Sequence, residues 1–475
     1  MFKTLYNYYK IVSLASDIYR VNERTGVIDE LSMLRLYELV RGGGCVCIKF
    51  FQWILPLLEI GHETNEPWFK ILERIYDDCN IHDMDHTLGL FREENGYEFN
   101  ERYELQDIVA SGSIGQVYRI KEIYTGKILA MKVLHPNIAR DILHFKIFSK
   151  VVLWIPRFKS LMLKYLPIDI TGFIRDFEEQ TSMITESRNM NMFLEAFSDS
   201  LSVYRIPKPI SYTKNTLIMS YHESTKFDEL ECSEYQKSKI IRLLVIFMWN
   251  SHEHNMCHED IHKGNWGVQL RPDNSISIVI YDYGLCTRLL GEETRFYSLI
   301  ESVFVDNGDT TNGIDSESVN GLVELTYICV KDIGYDITQR YIRKKFVDKS
   351  MLLGDAELYI KLMFELARDN NKLVDTHILK HFLVFSQLQS FIAKYYQVIQ
   401  SPEQEINQSD SYRISIPDNY ALCETENICK IYRDNCLKKL ENTNTEYENL
   451  FLFTSETVKL NTDILRGIKQ KIDSE

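Results

Sequence analysis

Four short segments of this 475-residue chain carry residue types suited to handling phosphate and a divalent cation. Ala110-Ser111-Gly112-Ser113-Ile114-Gly115-Gln116-Val117 is rich in small residues. Small residues let backbone N–H groups approach phosphate oxygens with no Cβ in the way. Lys132 follows in Ala130-Met131-Lys132-Val133, fifteen residues after Val117, where an ammonium can bridge nucleotide phosphates. Asp260 and Asn265 lie five apart in Cys257-His258-Glu259-Asp260-Ile261-His262-Lys263-Gly264-Asn265. A carboxylate at Asp260 can take or orient the proton of an attacking hydroxyl, and the amide oxygen of Asn265 can face Mg²⁺. Tyr281-Asp282-Tyr283-Gly284 adds a second carboxylate for the metal.

Each segment alone has an ordinary reading. The first is a small-residue hairpin turn, and Lys132 is a strand lysine whose stem lies on apolar surface. Their order is what carries information. The first segment fits the protein-kinase phosphate loop G-x-G-x-x-G-x-V with Ala110 in place of the first glycine. The Asp260/Asn265 spacing fits the catalytic loop H-R-D-x-x-x-x-N, and D-Y-G stands for D-F-G. One rival uses the same residues: His258-Glu259-x-x-His262 is a literal H-E-x-x-H zinc-peptidase pattern. That chemistry needs both histidines on one helix, and Gly264 falls where such a helix should continue.

The elements that must position these groups follow from periodicity. Residues 1–100 read as mostly helical, with apolar residues at Leu31, Leu34, Leu36, Leu39 and Val40 and a break at Gly42-Gly43-Gly44. Tyr103–Val109, Gln116–Tyr124 and Lys127–Leu134 read as three strands joined by glycine-bearing turns. A helical pattern covers Asp141 to Phe197. Val203–Ile206 and Thr216–Tyr221 complete a five-stranded antiparallel sheet. Tyr235–His252 reads as a buried helix, followed by a hairpin of Trp266–Leu270 and Ile276–Tyr281. Residues 290–400 look helical, and 401–475 read as a polar, partly helical tail.

Composition narrows the function classes. At about 150 residues per domain the length suggests about three folding units. Hydrophobic residues make up 45% and charged residues 26%, which excludes collagenous, disordered and disulfide-miniprotein readings. The net charge of −14 gives no general attraction for nucleic acid. Ten scattered cysteines without a CxxC pair fit free thiols in a reducing compartment. No secretory signal and no membrane-spanning stretch is visible, so a cytoplasmic location is expected, with peripheral membrane contact and organellar targeting left open.

Taken together, Ala110–Val117, Lys132-Val133-Leu134-His135-Pro136, His258–Asn265 and Asp282-Tyr283-Gly284 resemble the UbiB atypical kinase family, the aarF-domain kinases linked to ubiquinone biosynthesis. The resemblance covers roughly residues 30 to 310. It implies that Glu186, within Gln180-Thr181-Ser182-Met183-Ile184-Thr185-Glu186-Ser187-Arg188-Asn189, pairs with Lys132. It also implies that Lys49-Phe50-Phe51-Gln52 corresponds to a regulatory K-x-G-Q element, with Phe51 where the family has glycine. The family's E-x-D carboxylates become Gln180 and Ser182, and the third alanine of its loop becomes Gly112. In the family these elements restrain ordinary protein-kinase activity, so this chain is expected to be less restrained.

The expected fold is α+β: a bilobal protein-kinase-like fold with a helical N-terminal extension. Its divisions are a 1–100 extension, a 101–221 small lobe, a 222–400 helical lobe and a 401–475 tail. The expected function is Mg-ATP-dependent phosphotransfer or ATP hydrolysis. Ala110–Val117 and Lys132 hold the phosphates, Glu186 orients Lys132, and Met219 and Tyr221 contact the adenine. Asn265 and Asp282 hold Mg²⁺, Asp260 is the base, and Lys49 and Gln52 regulate. The acceptor is open among protein, lipid or small molecule, and water. The alternatives are a nucleotide-binding pseudoenzyme or lipid-handling adaptor and, remotely, the zinc peptidase.

Overall fold

The computed structural model describes residues 2–59, 67–76, 81–156, 159–160, 163, 166–271, 275–289, 316–347, 356–376 and 378–384. The 401–475 tail and the 290–315 stretch lie outside the described residues. The chain forms two compact units: residues 1–192 with 207–222 and 282–285, and residues 193–206 with 223–281 and 286–475.

The first unit opens with helices Phe2–Thr25, Glu30–Arg41, Cys45–Glu59, Pro67–Glu73 and Met84–Asn95. Asp29 caps the second, accepting from the Ser32 backbone N–H at 2.9 Å. Gly96, at φ 77°, ends the fifth in a left-handed turn. The sheet follows: β1 (Tyr103–Ser111), β2 (Gly115–Glu122), β3 (Ile128–Leu134), β5 (Pro209–Tyr212) and β6 (Thr216–Ser220), in the order β1-β2-β3-β6-β5, all neighbours antiparallel. One face packs on Phe91 of helix Met84–Asn95 and on Phe99. The core there is Tyr118, Ile120, Leu129, Met131, Val133 and Ile218. Helices Ile138–Trp154, Ile170–Gln180 and Met183–Ala196 replace the single helical stretch expected from 141 to 197. The middle one buries Ile170, Phe173, Ile174 and Phe177, the spacing of one helical face.

One strand assignment is corrected. The sheet has five antiparallel strands, but Val203–Ile206 does not supply one. Its core, β4 (Tyr204–Arg205), pairs in parallel with β9 (Ile276–Ile280) in the second unit. The fifth place is taken by Pro209–Tyr212, where Pro209 opens an edge strand, a position in which its missing N–H is tolerated.

The second unit holds helix Glu234–Glu253, which buries Ile240, Ile241, Leu243, Leu244, Phe247 and Met248. The expected hairpin is present as β8 (Trp266–Leu270) and β9 in a three-stranded sheet with β4. β7 (Met256–His258) pairs with β10 (Cys286–Arg288). Helices Ser316–Cys329, Tyr335–Val347 and Ala356–Asp369 follow. Among the described residues, no helix is long and apolar enough to cross a membrane.

Candidate active site

Lys132 lies on β3, opposite Val117 of β2 and Leu217 of β6, and is only 6% exposed. A buried ammonium is costly unless paired. Here Nζ donates to Glu186 Oε1 at 2.8 Å and Oε2 at 2.9 Å, and to Asp282 Oδ1 at 2.8 Å. Burial pulls the lysine pKa down, but Asp282 and Glu186 outweigh it and push it above its ordinary value. Burial raises the Glu186 carboxyl to about 7, against the attraction of Lys132. Asp282 moves the opposite way. Burial works to raise its pKa, yet Lys132 and then Lys49 hold it well below the usual carboxylate range. The sequence-predicted Lys132–Glu186 pair therefore forms, and Asp282 joins it.

Helix Met183–Ala196 reaches the 282–284 segment through two side chains. The Tyr283 backbone lowers the Glu186 pKa slightly, against burial, and Asn189 Nδ2 donates to the Tyr283 carbonyl at 2.8 Å. Asp282 sits in the left-handed region at φ 51°, uncommon for a non-glycine residue, and its Oδ1 accepts from the Gly284 N–H at 3.3 Å.

The 110–117 segment is the β1–β2 turn. Ser111 pairs with Gln116, and Gly112 N–H donates to the Gly115 carbonyl at 2.9 Å. Ala110 and Gly112 are exposed; Ser113, Ile114 and Gly115 are buried. A Cβ on Gly115 would stand 2.6 Å from the Val133 carbonyl oxygen, whereas one on Gly112 would meet nothing nearer than 3.7 Å. Gln116 is fully buried, and its side chain bonds to the His82 N–H and the Tyr118 hydroxyl. Its side chain is therefore turned away from the turn, and its backbone lies in the ladder between Ser111 and Val133.

Lys49 and Gln52 share helix Cys45–Glu59, and the structure separates their roles. Lys49 is buried, and its charge is felt at Asp282. Gln52 donates from Nε2 to the Ile75 carbonyl at 2.9 Å, which fastens the helix to the turn Arg74–Tyr76. Phe51 is buried. Met219, on β6, is 8% exposed, and Tyr221 lies just past the strand with Arg119 over its ring at 5.8 Å. The chain leaves the first unit one residue later, at His222.

Asp260 and Asn265 meet in the second unit. Asn265 Nδ2 donates to the Asp260 carbonyl at 2.7 Å and to Oδ2 at 3.1 Å. His258 Nε2 donates to the Tyr281 carbonyl at 3.2 Å, and His262 lies 3.7 Å from Asp260 Oδ1. Residues 256–258 are strand and 259–260 turn. The helix that an H-E-x-x-H zinc site requires is absent from this segment, so the zinc-peptidase reading is withdrawn. Glu259 instead pairs with Lys380 at 2.8 Å, both buried. Sequence reasoning missed this pair because nothing in the spacing of the two residues signals contact.

The antiparallel five-stranded sheet, with a lysine on its third strand held by a helix glutamate, defines an α+β, kinase-like fold. The model of the ABC1 atypical kinase-like domain matches residues 74–311, half of the chain, and the chain belongs to that family. It is 26% identical over 271 residues to the probable serine/threonine-protein kinase abkC of Dictyostelium discoideum, covering 54% of this chain and 38% of that protein. It is 27% identical over 290 residues to AarF domain-containing kinase 1 of Drosophila melanogaster, covering 57% and 53%. The chain thus spans about half or less of the length of these curated relatives. A solved structure, the Rv3197–erythromycin complex from Mycobacterium tuberculosis, aligns at 17% identity with a TM-score of 0.36, covering 63% of this chain and 81% of that one.

Proposed function

We propose that this protein binds Mg-ATP and transfers or hydrolyses its γ-phosphate. The observation that carries the reading is the Lys132 ammonium, buried and shared between Glu186 and Asp282. It is a preorganised cation whose position is set by two carboxylates.

In this reading Glu186 keeps Lys132 extended toward the α and β phosphates, and the backbone N–H groups of 110–117 line the phosphate path. Met219 and Tyr221, at the end of β6, contact the adenine. Asp282 and Asn265 supply a carboxylate and an amide oxygen, the hard donors that Mg²⁺ prefers. Asp282 fits this role because it is held anionic. Bound Mg²⁺ would neutralise charge on the phosphate oxygens. Asp260, fixed by Asn265, orients the attacking hydroxyl and takes its proton. An acceptor hydroxyl on protein, lipid or water completes the reaction, and its class remains part of the proposal.

Calorimetric titration with Mg-ATP tests the binding half. Saturable binding that weakens with EDTA and in Asp282→Asn supports it. No binding by the wild-type protein overturns it, and binding without phosphate release makes the protein a nucleotide-sensing pseudoenzyme.

A further inference from the structure

A buried chain of polar groups beneath the β1–β2 turn has no part in the chemistry above. His82, Thr87, Gln116, Tyr118 and His135 are each at most 9% exposed. His135 Nε2 lies 2.9 Å from the Gly112 carbonyl oxygen, and His82 Nδ1 lies 2.7 Å from His135 Nδ1. Thr87 Oγ1 lies 2.8 Å from His82 Nε2 and 2.7 Å from the Tyr118 hydroxyl, which accepts from Gln116 Nε2 at 2.8 Å.

The ends of this chain fix its direction. A carbonyl oxygen only accepts, so His135 must carry its proton on Nε2. Burial and the neighbouring His86 keep the His135 ring below its ordinary pKa and hence neutral, against the pull of the Gly112 carbonyl. Burial, then His135 and His86, lower His82 to about 4. The bare Nδ1 of His135 therefore accepts from His82 Nδ1–H. His82 Nε2 is then bare and accepts from a hydroxyl, with Thr87 Oγ1 at 2.8 Å and the Tyr118 oxygen at 3.3 Å both within reach. At the far end, Gln116 Oε1 accepts from the His82 N–H at 2.9 Å, so its amide nitrogen faces Tyr118. The backbone adds a second hold, because His135 N–H donates to the Ile114 carbonyl at 2.9 Å.

We propose that His135 is a positioning residue for nucleotide phosphate. Through this one-way chain it ties the Gly112 carbonyl toward the buried side of the turn. A carbonyl held there cannot face an anion, which leaves the turn's N–H groups to do so. The proposal rests on reading 110–117 as the phosphate cradle.

The test combines two measurements on the full chain. Nitrogen-15 NMR of the histidine rings should show Nε2–H at His135 and Nδ1–H at His82. Titration with Mg-ADP should show His135→Leu weakening binding by about three- to tenfold, the scale of one hydrogen bond. His135→Gln should stay within about threefold, because its amide nitrogen takes the place of ring Nε2. Should His135→Leu fail to fold, His135→Met, which also lacks a donor to the Gly112 carbonyl, takes its place and should weaken binding to the same extent. Wild-type binding that is unchanged in a folded His135→Leu or His135→Met overturns the positioning role alone, as does Nδ1–H at His135. Failure of the wild-type protein to bind Mg-ADP overturns the cradle reading and the positioning role with it, even with the predicted tautomers intact.

Discussion

Asn189 donates from Nδ2 to the Tyr283 carbonyl oxygen at 2.8 Å, one turn of helix beyond Glu186, the partner of Lys132. Residues three apart on a helix share a face. This face therefore fixes both the partner of Lys132 and the segment that presents Asp282.

Removing that hold should cost stability. Asn189→Ala leaves a buried carbonyl without its donor, worth about 1–3 kcal/mol. Urea denaturation should show the loss, and Mg-ATP affinity should fall with it. An unchanged midpoint would mean that the 282–284 segment is held by other contacts.

Glu186 sets a pH dependence. Its carboxyl is raised to about 7 in the fold, against about 4.3 in an unfolded chain. Between those values the folded protein keeps a proton that the unfolded chain has released, so stability falls as pH rises. The Glu186 contribution is full below the ordinary carboxylate range and is lost as pH rises through about 7. Asp282, whose pKa is depressed, contributes above the ordinary range and loses that contribution as pH falls below it, so the two windows separate. Glu186→Gln should flatten the urea midpoint between about pH 5 and 7; a slope that persists in the variant would assign it to another group.

The two glycines of the phosphate turn should behave oppositely. Gly115→Ala drives a Cβ to 2.6 Å from backbone at Val133 and should destabilise the protein by about 2 kcal/mol or more. Gly112→Ala meets only ordinary contacts and should fold with a change within about 0.5 kcal/mol. Its effect should appear instead in nucleotide affinity and turnover, because the alanine stiffens the loop. Unchanged affinity and turnover in Gly112→Ala would show that the glycine does not make this chain less restrained.

The sequence made some of this legible and hid the rest for physical reasons. β1 to β3 were readable because glycine-bearing turns separate short runs rich in β-branched and apolar residues. β4 was assigned to the wrong sheet because its apolar residues suit either sheet, and its true partner, β9, lies far along the chain. β5 was missed because it opens on proline and is half exposed. The Lys132–Glu186 pair was available only through the family pattern. The His82–His135 contact spans 53 residues with no periodic signal, although His135 stood in the quoted motif. Gln116 looked like part of the phosphate loop by position, and only packing shows its side chain turned inward.

Glu259, next to Asp260 in sequence, and its buried partner Lys380 should be tightly coupled. Lys380→Met takes the lysine from the buried Glu259 carboxylate and leaves His381 Nε2 at 3.7 Å from its Oε1, a cost of up to about 3–5 kcal/mol. Adding Glu259→Met should recover most of it, since the uncompensated charge is then gone. A double-mutant cycle in urea measures the coupling, and additive losses would contradict it.

Phosphate release from Mg-ATP by the wild-type protein and by Asp260→Asn, with binding followed in parallel, bears most directly on the proposed chemistry. The account predicts turnover by the wild-type protein and at least a hundredfold loss in Asp260→Asn, on the scale of about 10²–10⁴ for general-base catalysis, with Mg-ATP affinity retained. Equal turnover by the two proteins, or none by the wild type, would contradict it.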